Sequence, residues 1–186
     1  MVSSILYQDL RSQFKDGDIL MFKGKGTLSS IIKWKTDSEY SHAGLTAWWN
    51  DRLMVLEAVG KGVEARPISY ILKHYHGSID YFRPKESVGI KDADRAEMIT
   101  FAQEQLGKEY AKKQLVKFFF KLLFNGKMSK KDESGPVSRF FCSQYVSAVY
   151  QKAGFDLKIN LSDKFTSPQE IAASPLLEKV CAIKDE

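Results

Sequence analysis

Cys142 stands inside Arg139-Phe140-Phe141-Cys142-Ser143-Gln144-Tyr145-Val146-Ser147-Ala148-Val149-Tyr150, where the run from the cysteine onward reads as a helix. A thiol at a helix N-terminus meets the positive end of the backbone dipole and several unpaired amide protons. Both favour the thiolate, and hence a nucleophile, and the same amides can hold an oxyanion. Buried cysteine is also an ordinary small core residue, so position alone leaves both readings open. Nucleophilic chemistry further needs a base for the thiol proton and a third group to orient that base.

His42 and Glu57 are the candidates. Ser41 to Trp49 and Arg52 to Ala58 are β-rich runs joined at Asn50-Asp51, a pair suited to a tight hairpin. A two-residue loop pairs Trp49 with Arg52, Thr46 with Val55 and Gly44 with Glu57. Glu57 is then the diagonal neighbour of His42 on the same face, at a backbone separation of roughly 7–8 Å that two polar side chains can close. Gly44 leaves room for that contact, and an unpaired charge in Leu53-Met54-Val55-Leu56-Glu57-Ala58 would be costly. The geometry turns on parity, because a three-residue loop would send Glu57 to the opposite face. A strand histidine also serves as a hydrogen-bonded structural residue, and a strand-end carboxylate as a solvated charge. His74 and His76 lack a third ligand at a recognisable spacing, so they read as surface or turn histidines and no metal site is expected. Cys181, among small apolar residues, reads as packing.

The whole chain bounds these readings. Its 186 residues suit one domain spanning 1–186, and two distant cysteines argue against a disulfide framework or a multi-cysteine zinc site. The start, MVSSILYQDLRSQFKDG, lacks a secretory h-region, and no apolar run approaches the ~20 residues of a bilayer span, so a cytoplasmic location is expected. A net charge of +5 with acidic residues interspersed fits general solubility, and no nucleic-acid partner is expected. Oligomeric state has no signature in the chain.

The elements that must position these residues run strands first, helices later. Gly17 to Phe22 reads as a buried strand after a turn, and Leu28, Ile31 and Ile32 as a short helical stripe. Gly24-Lys25-Gly26 lacks phosphate-loop spacing. Val63 to Ile68 and Ser78 to Arg83 complete an antiparallel sheet. Asp92 is expected to cap a helix ending at Gly107, and the cysteine helix to end at Gly154. The lysine-rich stretch before Pro136 reads as an exposed loop. The fold class is α+β, an antiparallel sheet against a helix carrying the cysteine.

Six motifs follow one another along the chain: Gly17-Asp18-Ile19-Leu20, Tyr40-Ser41-His42-Ala43-Gly44, Leu56-Glu57-Ala58, Leu106-Gly107-Lys108-Glu109-Tyr110, Phe141-Cys142-Ser143-Gln144-Tyr145-Val146 and Thr166-Ser167-Pro168-Gln169-Glu170-Ile171. In that order they resemble the YiiX/YebB-like permuted papain-fold amidases, related to the NlpC-type cell-wall peptidases. The resemblance runs from about Gly17 to the end and implies a permuted papain-like fold, with histidine and acid preceding the cysteine. It implies Cys142 as nucleophile, His42 as general base and Glu57 as the residue orienting it, with no cofactor. By resemblance Tyr110 and the Thr166-Ser167-Pro168 turn line the substrate cleft. A core aromatic and a helix cap are the alternatives there. Tyr40 and Ser41 before the histidine, and Ser143 after the cysteine, are further candidates. Gln144 and Ala111 stand where the family pattern has Glu and Asp, which bears on pocket charge.

The resemblance implies amide or isopeptide cleavage in a peptide, an amino-acid conjugate or another acylated small molecule. Leu115, Phe118, Phe119 and Leu122 form one helical stripe and Lys113, Lys117 and Lys121 another. A basic amphipathic helix over 112–124 would suit a peripheral membrane contact or would cover the core. A lipid-directed acyl hydrolase or acyltransferase is thus a second reading, and a non-catalytic binding module on the same fold a third.

Overall fold

The computed structural model describes residues 4–26, 29–30, 33, 38–59, 62–108, 142–157 and 167–185. The strands are β1 (Ser4–Leu6), β2 (Ile19–Gly24), β3 (His42–Trp49), β4 (Arg52–Val59), β5 (Gly62–Pro67), β6 (Gly77–Pro84) and β7 (Leu177–Lys184). They form one sheet in the order β1-β7-β6-β2-β3-β4-β5, with β1 parallel to β7 and the other neighbours antiparallel. The helices are α1 (Tyr7–Leu10), α2 (Ile68–His74), α3 (Asp92–Glu104), α4 (Cys142–Lys152) and α5 (Pro168–Ala172). The mixed α+β architecture, with antiparallel strands and a cysteine-headed helix, is the expected one. The structure adds α2, β1 and β7, which the sequence pattern did not separate from connecting chain.

Both faces of the central strands are covered, so β3 and β4 read as near-continuous apolar runs rather than alternating ones. On one face Ile19, Met21, Ala43, Leu45 and Leu56 pack on Met98 and Ala102 of α3 and Tyr145, Val146 and Val149 of α4. On the other, Leu20, Phe22, Val55, Tyr81 and Cys181 pack on Leu10, Phe14, Ile68 and Ile71. Burial of these side chains supplies the main favourable term, roughly 1.5–3 kcal/mol for each large one. Two buried phenols then set the cysteine helix. Tyr145 donates to the Ala102 carbonyl at 2.9 Å, tying α4 to α3, and Tyr150 donates to the Gly17 carbonyl at 2.7 Å, tying it to the turn before β2.

The β3–β4 hairpin has the two-residue loop. Trp49 pairs with Arg52 and Thr46 with Val55, and Asn50 carries the left-handed backbone, with φ 53°. Gly107 (φ 80°) and Gly154 (φ 84°) follow α3 and α4 at the positions expected for their stops. The start of α3 differs from expectation by one residue. Lys91 is the cap, its amide donating to the Asp94 carboxylate at 2.8 Å, and Asp92 is the first helical residue. The stripe at Leu28, Ile31 and Ile32 and the lysine-rich stretch before Pro136 lie outside the described residues.

A buried carboxylate joins β6 to its neighbours. Asp80 is 2% exposed and accepts from the Tyr40 hydroxyl at 2.7 Å, with Lys179 Nζ at 2.6 Å and Lys23 Nζ at 3.1 Å. Burial opposes its charge, but hydrogen bonds from Lys179, Tyr40 and Lys23 prevail and hold the carboxyl below the usual aspartate value. Its contribution is therefore complete above about pH 4 and is lost as the pH falls through the depressed folded value. At pH 7, D80N should cost roughly 1.5–3 kcal/mol in urea unfolding, a deficit that narrows on acidification. A deficit independent of pH would separate Asp80's role from its charge.

Gly44 makes a second, steric demand. A Cβ there would sit 2.8 Å from Val55 Cγ1 and 3.3 Å from Glu57 Cβ, and Val55 is too stiff to yield cheaply. G44A should push β4 outward, lower stability by about 1–3 kcal/mol and slow alkylation of Cys142. An unchanged unfolding midpoint and labelling rate would show that the hairpin absorbs the methyl group.

Candidate active site

Three elements converge at one end of the sheet. His42 opens β3, Glu57 lies toward the end of β4, and Cys142 is the first residue of α4. His42 Nε2 lies 2.7 Å from Glu57 Oε2, so the diagonal contact expected from the two-residue hairpin forms. The other ring nitrogen, Nδ1, is left for the Cys142 thiol, with which His42 shares a side-chain hydrogen bond. Phe22, paired with His42 across β2 and β3, lays its ring against the imidazole at a centroid distance of 5.0 Å.

The strands also prepare the sulfur's surroundings. The β3–β4 ladder begins at Leu45 opposite Leu56, two residues past Ala43. The Ala43 amide donates to the Cys142 sulfur, as does the Ser143 amide of the first helical turn. Burial would push the thiol up, but the His42 charge and hydrogen bond and these two amides outweigh it and hold Cys142 below the usual thiol value. Burial likewise disfavours a charged His42, yet Cys142 and Glu57 push it up to about 10. Both shifts favour the thiolate–imidazolium form of the pair, with Nε2–H donating to Glu57. A thiolate beside an imidazolium is the charge arrangement that favours thiol nucleophilicity.

Glu57 is fully buried and its charge is held from two sides. Burial would raise its carboxyl, but His42 and Arg66 together hold it below the usual glutamate value. Arg66 of β5 donates from Nε at 3.0 Å and from Nη2 at 2.7 Å, both to Oε1. Arg66 was not read from the sequence, although a signal existed. If Gly60-Lys61 is treated as a two-residue loop, Glu64 falls opposite Glu57, and the observed register has that pair. Two facing carboxylates call for a nearby cation, and Arg66 is two residues along on the same face.

The other expected residues fall in different places. Tyr40 is buried with its hydroxyl on Asp80, and Ser41 Oγ accepts from the Gly24 amide at 3.1 Å and donates to the Phe22 carbonyl at 3.3 Å. Both anchor the chain entering His42. Ser143 is buried beside Cys142, as is Gln144, and both are engaged by partners. Ser167 caps α5, its Oγ accepting from the Glu170 amide at 3.3 Å while its own amide donates to Glu170. Tyr110, Ala111, Thr166 and the 112–124 segment lie outside the described residues.

Among the described residues no three or more histidine, cysteine, aspartate or glutamate side chains converge as a metal site. His74 ends α2 with Nδ1 donating to the Tyr70 carbonyl at 2.8 Å, and Cys181 is fully buried in β7. A cavity of about 250 Å³ lined by Lys15, Asp18, Tyr81, Arg83 and Arg95 lies toward the opposite end of β2 from His42 and includes none of the three converging residues. No helix among the described residues is long and apolar enough to cross a membrane.

Comparison with curated protein sequences yields no match. Among solved structures, the metalloprotein YiiX from Escherichia coli O157:H7 superposes with a TM-score of 0.69 at 23% identity, over 91% of this chain and 97% of that one. The likeness shows a shared fold, and the metal in its description is a statement about that protein. The sequence profile described as permuted papain-like amidase enzyme, YaeF/YiiX, C92 family, matches residues 13–181. The chain thus belongs to the permuted papain-like amidase family YaeF/YiiX, a family of cysteine-type amidases and peptidases.

Proposed function

We propose that the protein hydrolyses an amide or isopeptide bond in a peptide or amino-acid conjugate, with Cys142 as nucleophile, His42 as proton carrier and Glu57 as the group orienting His42. The observation that carries this reading is the hydrogen-bonded chain Glu57–His42–Cys142, in which each partner favours the charged form of the next. The thiolate attacks the substrate carbonyl, and amides at the start of α4 stabilise the oxyanion. His42 passes its proton to the departing amine as the thioester forms. It then takes a proton from water, which attacks the thioester and releases the acid and the thiolate. Every step uses these three side chains and water. Tyr110 and Thr166 are proposed to line the cleft by family resemblance, with Ser143 beside the sulfur. Tyr40, Ser41 and Ser167 act through the local structure they hold.

The basic stripe at Lys113, Lys117 and Lys121 favours one further reading, a lipid-directed acyl hydrolase or acyltransferase. A binding module is the third class, and three intact reactive side chains speak against it.

Iodoacetamide should label Cys142 at least about tenfold faster than Cys181 near neutral pH, by site-resolved mass spectrometry. Burial pushes the Cys181 thiol up while Cys142 is held low. Labelling of Cys142 should fall only below the usual thiol range, and turnover should decline on the alkaline side as His42 loses its proton near about 10. Equal labelling of the two thiols contradicts the ion pair.

Amine release from short peptide amides in solution should occur without vesicles and disappear in C142A, whose circular dichroism should match the parent. The triple change K113Q/K117Q/K121Q should leave that release unchanged. Ester turnover that requires anionic vesicles, with vesicle binding weakened by about 1 kcal/mol per lysine removed, would favour the lipid reading. Binding without Cys142-dependent turnover would favour the binding module.

A further inference from the structure

Glu57 is the pivot of the site, and its two oxygens have separate duties. Oε2 faces His42 Nε2 at 2.7 Å, while Oε1 receives both Arg66 donors, Nε at 3.0 Å and Nη2 at 2.7 Å. A carboxylate with one bonded oxygen can turn about its terminal bond. One pinned at both oxygens cannot turn without breaking charge-assisted hydrogen bonds. The guanidinium is about a third exposed (36%) and projects from β5, an edge strand of the sheet, so it joins a buried charge to the solvent boundary.

We propose that Arg66 is a positioning residue for the reaction: by fixing Oε1 it presents Oε2 to the imidazole and keeps Glu57 ionised against His42. This role rests on the Cys142–His42–Glu57 reading. Among the described residues the charged and titratable groups around Glu57 are these. His42 comes from β3 and Arg66 from β5. Glu64 lies opposite Glu57 in register, with Arg66 Nε 3.6 Å from its carboxylate, and Tyr75, just after α2, feels the Glu57 charge. Glu64 adds a second negative charge to the same patch, which makes a cation there more necessary. Without Arg66 the buried Oε1 has lost both donors, Glu57 takes up a proton at higher pH, and the imidazolium loses its counter-charge. Both Arg66 hydrogen bonds run to Glu57, and it is through Glu57 that it acts.

The test follows the pH dependence of Cys142 alkylation by iodoacetamide in the full-length protein, comparing the parent with R66M, R66K and E57Q. The acid limb for R66M should move upward toward that of E57Q, giving about tenfold slower labelling on that limb for each unit moved. R66K, which keeps the charge and one donor, should stay within about threefold of the parent. Should R66M fail to fold, R66Q carries the same comparison with a polar side chain at this partly exposed position. An R66M or R66Q limb superimposed on the parent's while E57Q is displaced would overturn the role of Arg66 and leave the triad standing. Loss in R66M and R66K alike, tracking only lowered thermal stability, would also overturn it by making Arg66 structural. If the parent labels with an ordinary thiol limb near pH ~8.5, the triad reading fails and the role of Arg66 fails with it.

Discussion

A fully buried negative charge sets the terms for this end of the molecule. Removing a carboxylate such as Glu57 from water costs several kcal/mol, so the sheet must bring counter-charges to both of its oxygens. The β3–β4 hairpin delivers His42 to one and β5 delivers Arg66 to the other. The diagonal contact needs β4 drawn close to β3, and Gly44 is what permits that approach. Register, glycine and arginine are thus parts of one solution. Shifting the hairpin by a residue would turn Glu57 to the other face, against α3 and α4.

The cysteine reaches the same point by an independent route. Its helix is held by Tyr145 on α3 and Tyr150 on the turn before β2, both through buried hydroxyls to backbone carbonyls. These contacts aim the helix N-terminus at the end of the sheet where the β3–β4 ladder stops. The Ala43 amide there serves the sulfur. Helix and sheet therefore meet at a polar junction beside the apolar packing of Tyr145, Val146 and Val149. Glu57 and Cys142 both favour a charged His42, and His42 favours the charged form of each, which makes the charge state a property of the assembled group.

Much of this was legible in the sequence because it depends on local rules. Hairpin parity placed Glu57 beside His42, glycines at 107 and 154 marked helix stops, and Cys142 at the head of an apolar-spaced run indicated a helix start. Residues whose partners are distant in sequence were harder to read. Asp80 depends on Lys179, nearly a hundred positions away, and β7 carries lysine and glutamate beside its apolar residues, which hides it among loop-like segments. Arg66 went unread because its role emerges only when the β4–β5 register sets two glutamates opposite each other. Tyr40 and Ser41 precede the histidine and were read as cleft candidates. Their hydroxyls instead bond Asp80 and the β2 backbone, contacts that exist only once β2, β3 and β6 are assembled.

The central claim is that His42 rests as an imidazolium between two anions, and nitrogen-15 NMR of the ring reads that state directly. The chain has three histidines, so the His42 signals can be assigned by their loss in a His42 variant. At pH 7.5 both His42 nitrogens should be protonated in the parent, and deprotonation should come only near about 10. In C142A the imidazolium should lose one of its counter-charges and titrate lower. A His42 that is neutral at pH 7.5 in the parent, with an ordinary midpoint near ~6.5 unaffected by C142A, would contradict the account.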